Sequence, residues 1–126
     1  MNYRVLLLAC SAAKLDRGAQ AVDIYQGQIF RKGLEYAKRE GLWVMILSAK
    51  HGLINWDTWV EPYDQKMKGD YRGPWPQMEG FYLGGQLYFA HAPERLKPLV
   101  PSGTIGFMLR DLNRLLDGTP REELFK

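Results

Sequence analysis

The apolar positions fall into a few short blocks separated by polar and glycine-rich connections. Val5–Ala9 (VLLLA) is continuously apolar and too short for a helix, which predicts a strand buried on both faces. Trp43–Leu47 (WVMIL) predicts a second strand of the same kind. Between them, from about Gln26 to Glu40, Phe30, Leu34 and Ala37 recur at helical spacing, with Arg31, Lys32, Glu35, Lys38 and Arg39 on the other side. Gly41 stands where a helix C-terminal cap belongs. Strand, helix and strand in that order predict a parallel unit with a right-handed crossover. Gln86–Ala90 reads as a third strand. Ile105–Asp117 reads as an amphipathic helix with the stripe Ile105, Met108, Leu109, Leu112, Leu115 and Leu116, stopped by Gly118 and Pro120. The stretch Gly69–Gly85 scatters Gly69, Gly73, Pro74, Pro76, Gly80, Gly84 and Gly85 among aromatic residues, and reads as a lid, a docking surface or a packed loop. The expected fold is α/β: a single small domain over residues 1–126, with a mainly parallel central sheet flanked by helices and a long irregular Gly/Pro/aromatic loop.

The two predicted strands end alike, in CSAAK (Cys10–Lys14) and SAKHGL (Ser48–Leu53). In an open parallel sheet, ligands bind outside the carboxyl ends of the strands. If the strands are neighbours, Ser11 and Lys14 leave one end while Ser48, Lys50 and His51 leave the other. Ala12, Ala13, Ala49 and Gly52 are small enough to let a ligand approach the backbone. Serine hydroxyls and backbone amides can hold a phosphate or carbonyl oxygen, and the lysines add positive charge. The duplication therefore reads as one site built from two strand ends, against the plainer reading of common strand-ending residues and surface lysines.

The segment after the second strand, through Asp64, concentrates His51, Asp57, Glu61, Tyr63 and Asp64 with Trp56 and Trp59. Carboxylates beside aromatic rings suit a flat polar ring, which stacks while its N–H groups are accepted. A carboxyl group partly desolvated by tryptophan is also a candidate general acid. The alternative is a structured crossover loop whose tryptophans belong to the core.

Composition narrows the classes. A chain of 126 residues with 46% hydrophobic and 25% charged residues fits one globular domain. No apolar run reaches the roughly 18 residues of a membrane span, and Arg4 precedes too few apolar residues for a signal peptide, so no membrane partner and a cytoplasmic location are expected. Cys10 is the only cysteine, which excludes an internal disulfide; at a strand end it is a small buried hydrophobe or a nucleophile. His51 and His91 are the only histidines and lack HxxxH or HxH spacing, so no metal is expected. GxGxxG, GxxxxGK[ST] and GxSxG are absent, and no cofactor is expected. A net charge of +3 permits an anionic partner without requiring one.

The segments LLLACSAAK, DIYQGQIFRKGLEYAKREGLWVMILSAKHGLI and WVEPYD together resemble a family of small bacterial and phage-associated domains of unknown function. Its members combine a strand ending in C-S-x-x-K, a D-[IL]-Y segment opening a helix, a strand ending in S-A-K-[HY]-G-L, and a P-Y-D. More distantly they resemble the YaaA superfamily of peroxide-stress proteins. The resemblance covers Leu6 to about Asp64. It implies DNA binding and protection, or handling of modified nucleobases including glycosidase-like roles. It points to Cys10, Ser11, Lys14, Asp23, Tyr25, Ser48, Lys50, His51, Gly52, Pro62, Tyr63 and Asp64. The sequence departs from the pattern after Asp64, at GDYRGPWPQMEG.

Two functional expectations result. The first is a nucleotide- or nucleobase-recognising domain, with base processing by cleavage of an N-glycosidic bond as its enzymatic form. There Asp64, Glu61 or Asp23 would stabilise oxocarbenium-like charge, and Lys50 or His51 would bind phosphate or protonate the leaving base. Cys10, Ser11, Lys14, Asp23, Tyr25, Ser48, Gly52, Glu61 and Tyr63 would line the substrate. The second is a non-catalytic DNA-binding domain whose basic surface is Lys14, Arg17, Arg31, Lys32, Lys38, Lys50, Lys66, Lys68 and Arg72. A protein-binding accessory domain is a third possibility.

Overall fold

Leu6, Leu7 and Leu8 have no exposed surface, as a strand covered on both faces requires. Each such leucine contributes about 2 kcal/mol of burial energy. They form β1 (Val5–Ala9), the middle strand of a five-stranded sheet in a computed structural model that describes residues 4–66 and 71–126. After β1 come the short β2 (Ala19–Gln20), a single turn α1 (Ala21–Ile24), and α2 (Gln28–Glu40). Helix α2 buries Phe30, Gly33, Tyr36 and Ala37 and ends at Gly41, whose φ of 66° places it in the left-handed region that favours glycine. The chain then forms β3 (Trp43–Ser48), β4 (Gly52–Asn55) and β5 (Trp59–Val60). It continues into β6 (Gly80–Leu83), a 3-10 turn (Gln86–Phe89), β7 (Leu96–Pro98), α3 (Ile105–Leu116) and a final 3-10 turn (Arg121–Phe125).

The sheet order is β4-β3-β1-β6-β7, with β2 and β5 paired separately as a small antiparallel ribbon. Strand β1 runs parallel to β3, from Val5 opposite Trp43 to Ala9 opposite Leu47, and parallel to β6 on its other side. Strand β7 is parallel to β6; β4 alone is antiparallel, folded back on β3. The mainly parallel α/β fold is therefore as expected.

Two details differ from expectation. The third parallel strand is Gly80–Leu83, inside the stretch read as irregular, while Gln86–Phe89 is a 3-10 turn and not a strand. Gly80 pairs with Val5 so closely that a Cβ there would sit 2.0 Å from the Val5 carbonyl oxygen, so a glycine marks strand pairing here rather than a break. The Gly84–Gly85 pair then turns the chain back, and Phe89 stacks on Tyr82 with ring centroids 4.7 Å apart. Second, the buried stripe of α3 is Met108, Asp111, Leu112 and Leu115, whereas Ile105 is 65% exposed. Asp111 takes a core position; its Oδ1 accepts from Arg110 Nε at 3.2 Å. Both long helices, which flank the sheet as expected, stand on one face. Leu6, Leu8, Ile46 and Leu83 pack with Phe30, Ala37, Met108 and Leu112, while Val5, Leu7, Leu47, Tyr82 and Leu96 face Tyr71, Trp75, Met78, Tyr88 and Phe89 from the non-helical segments. Lys68 and Gly69, named above, lie outside the described residues. Among the described residues no helix is long and apolar enough to cross a membrane.

Candidate functional site

Because β1 and β3 are adjacent and parallel, their two similar endings leave the same edge of the sheet. Backbone and side chain lock them together: Cys10 N–H donates to Leu47 O at 3.0 Å, and Ala49 N–H donates to Cys10 Sγ at 3.3 Å. Ser48 is 1% exposed, and its Oγ accepts from the amides of Lys50 (3.2 Å) and His51 (3.1 Å). The turn is thus wound around a buried serine. Gly52, at φ 71°, completes the reversal into β4.

Tyr63 organises what lies over this turn. Its hydroxyl bonds Ser48 Oγ at 2.8 Å and the hydroxyl of the fully buried Tyr25 at 2.7 Å. Its ring lies 4.3 Å from Lys14 Nζ and 6.0 Å from Lys50 Nζ, and meets the His51 ring edge-on at 5.8 Å. Lys14 also forms an isolated backbone bridge with Tyr25, and Gln65 Nε2 donates to Ala49 O at 3.1 Å. Burial pushes the Tyr63 and Tyr25 phenols above their ordinary range, against the opposing pull of the Ser48 hydrogen bond. Both phenols are therefore neutral at physiological pH, and the lysines face an aromatic ring instead of a phenolate. Two ammonium groups around one neutral ring leave this edge positive.

Beside the tyrosine cluster a cleft of about 420 Å³ opens between the carboxyl ends of β1 and β6. Its polar edge is the end of β1 (Cys10, Ser11, Ala12) and the start of α2 (Gly27, Gln28). Ser11 Oγ accepts from Gly27 N–H at 3.1 Å and donates to Ala13 O at 2.8 Å, so the first loop is tied to the helix start. The first-turn amides of a helix lack intrahelical acceptors and carry partial positive charge. Tyr88, Ile105, Met108 and Leu109 make the apolar wall, with Gly84 and Gly85 between. A Cβ added at Gly85 would meet nothing within 4 Å, whereas one at Gly84 would lie 2.5 Å from Ala9 Cβ.

The structure brings Cys10, Ser11, Lys14, Tyr25, Ser48, Lys50, His51, Gly52 and Tyr63 to this edge. Asp64 follows Tyr63 and is exposed. Two candidates stand elsewhere. Asp23 lines a separate groove with Trp43 and Trp56, and Glu61 accepts from Trp59 Nε1 at 2.9 Å with its carboxylate packed on Gly18. Trp59 is 63% exposed, so it is not core; Trp56 is half-buried and meets Trp43 edge-on at 6.5 Å. Sequence reasoning missed Gly27, Gln28, Gly84, Gly85 and Tyr88. Their signal was a glycine pair directly after the short apolar run FYL, the same strand-to-turn transition that marks the other two endings.

Two residues of the expected basic surface bond within the fold. Arg31 Nη1 donates to Val22 O at 2.9 Å, and Lys32 Nζ donates to Asn113 Oδ1 at 2.8 Å. Among the described residues there is no group of three or more His, Cys, Asp or Glu arranged to hold a metal ion.

Residues 5–78 match the model of a family of unknown function (DUF6884). No curated protein and no solved structure matches the chain.

Proposed function

The chain belongs to the DUF6884 family, whose description assigns no activity, and from the site itself we propose that it is a nucleotide- or nucleobase-recognising domain. The base would enter the cleft against Tyr88 and Met108, and the phosphate would lie toward the α2 start and Lys14. One observation carries this reading: the cleft lies between β1 and β6, where the connections leave in opposite directions, β1 toward β3 and β6 toward β7. That switch point is where open parallel sheets bind ligands. Its mainly apolar wall, with one polar edge at the start of α2, matches a flat ring bearing an anion.

A base-removing activity would need a carboxylate at the sugar. With Glu61 and Asp23 placed elsewhere, that role would fall to Asp64, which directly follows Tyr63 and is exposed.

Amide NMR titration with nucleoside monophosphates tests the proposal. The signals of Gln28, Gly84 and Gly85 are expected to shift saturably, and Gly85→Val, whose Cβ has no neighbour within 4 Å, is expected to abolish the shifts at Gln28 and Gly84 while leaving the spectrum otherwise folded. Absence of saturable shifts there, with binding seen only for DNA and lost as salt rises, would sink the pocket and favour the DNA-binding alternative. Mass spectrometry for released base, with Asp64→Asn alongside, separates an enzyme from a binder.

A further inference from the structure

The opposite edge of the sheet, where β1, β3 and β6 begin, carries a second concentration of polar groups. A cavity of about 390 Å³ is lined there by Arg4, Tyr36, Glu40, Phe81, Arg121 and Glu122, with Leu42 and Pro120. We propose that it is a second binding site, for a small zwitterion with an apolar side chain, of the α-amino-acid class. The carboxylate would meet Arg4, Arg121 and the Tyr36 hydroxyl, the ammonium would meet Glu40 and Glu122, and the hydrocarbon would lie on Phe81 and Leu42.

Three observations point to a ligand. The guanidinium groups of Arg4 and Arg121 lie over the same Phe81 ring, 5.5 and 4.7 Å from its centroid. The Arg4 side chain makes no hydrogen bond or ion pair among the described residues, so its planar donor fork is unused. Arg121 is fixed by Leu99 O, which accepts from Nε at 3.2 Å, and Pro98 O, which accepts from Nη2 at 2.5 Å; Nη1 is left for another acceptor. Second, the Tyr36 ring is buried while its hydroxyl is accessible in the cavity, with no hydrogen-bond partner among the described residues. Burial raises its pKa, so at neutral pH it is a donor.

The third observation is the charge balance. Two guanidinium groups share the cavity with two carboxylates, and Glu40 also lies 3.5 Å from Arg39 Nε. A bare anion loses beside the glutamates what it gains beside the arginines. A molecule with separated charges and no net charge matches both.

NMR of arginine Nε–H signals tests this, with L-phenylalanine and L-leucine as ligands and acetate, methylammonium and inorganic phosphate as fragments. The zwitterions are expected to shift the Arg4 and Arg121 signals saturably and to bind about tenfold or more tightly than any fragment. Arg4→Gln, at an exposed and unpaired position, is expected to weaken them about tenfold with an unchanged melting temperature, and Tyr36→Phe to weaken them several-fold. No saturation by about 20 mM overturns the proposal. So does phosphate or acetate binding as tightly as the amino acids, which would make this a simple anion site, or unchanged affinity in Arg4→Gln.

Discussion

Replacing Tyr63 with phenylalanine removes one oxygen atom and keeps the ring on which Lys14 sits at 4.3 Å. The oxygen holds two hydrogen bonds, to Tyr25 (2.7 Å) and Ser48 (2.8 Å), each contributing about 1 kcal/mol net. Ser48 Oγ still accepts from the Lys50 and His51 amides after the change, so its loss is modest. Tyr25 is fully buried and its hydroxyl loses its Tyr63 partner, which adds roughly another 1 kcal/mol of unpaired polar burial. The expected cost is therefore about 2–3 kcal/mol. With a urea slope of about 1.5 kcal/mol per M, the unfolding midpoint falls by roughly 1.5–2 M, followed by tryptophan fluorescence. Tyr25→Phe removes the same bond from the other end. The double variant should cost about 1–2 kcal/mol less than the two singles added together. A midpoint shift below about 0.3 M, or strict additivity, would show that the tyrosine pair does not hold the strand ends as described.

Alkaline pH gives an independent check. The Tyr25, Tyr63 and Tyr82 phenols are raised first of all by burial, so above about pH 10 the unfolded chain releases protons that the folded chain retains, and stability falls as pH rises. The urea midpoint should drop between about pH 9 and pH 11, less steeply in Tyr63→Phe; a flat profile contradicts the burial. Gly33→Val should destabilise by about 1–3 kcal/mol in thermal unfolding, because its Cβ would come within 2.6 Å of Leu8 Cδ2 and 2.8 Å of Leu83 Cδ2. A neutral or stabilising result would mean that α2 does not lie so close to β1 and β6. Arg39→Met should cost about 1 kcal/mol, since its guanidinium donates to Leu115 O (2.6 Å) and Leu116 O (2.9 Å) and so caps α3 from α2; an unchanged melting temperature removes that role.

The parts of the fold legible in the sequence were those where burial and periodicity agree. Leu6–Leu8 and Ile46–Leu47 are buried from both sides, and α2 shows one clear stripe closed by Gly41. Strand β6 escaped because its four residues sit between glycines, and composition alone cannot separate a glycine that breaks a strand from one that admits a neighbouring backbone. Gln86–Phe89 is apolar because Tyr88 and Phe89 cover the sheet from outside, not because they belong to it. At the site, the paired endings were readable as local motifs. Tyr63 as the organising residue was not, since its partners Tyr25 and Ser48 are 38 and 15 positions away in sequence. Charge drew attention to Glu61, whose carboxylate instead receives the indole N–H two residues before it.

The one-sided helix layer has a consequence for motion. Val5, Leu7, Leu47, Tyr82 and Leu96 are roofed by non-helical chain, which opens more readily than packed helices do. The same roof contributes Tyr88, and its base contributes Gly84 and Gly85, to the cleft. Lifting the roof and dismantling the cleft are then a single event. Any occupant of the cleft acts as a latch between this roof and the starts of α2 and α3, slowing hydrogen exchange along β6 and β7.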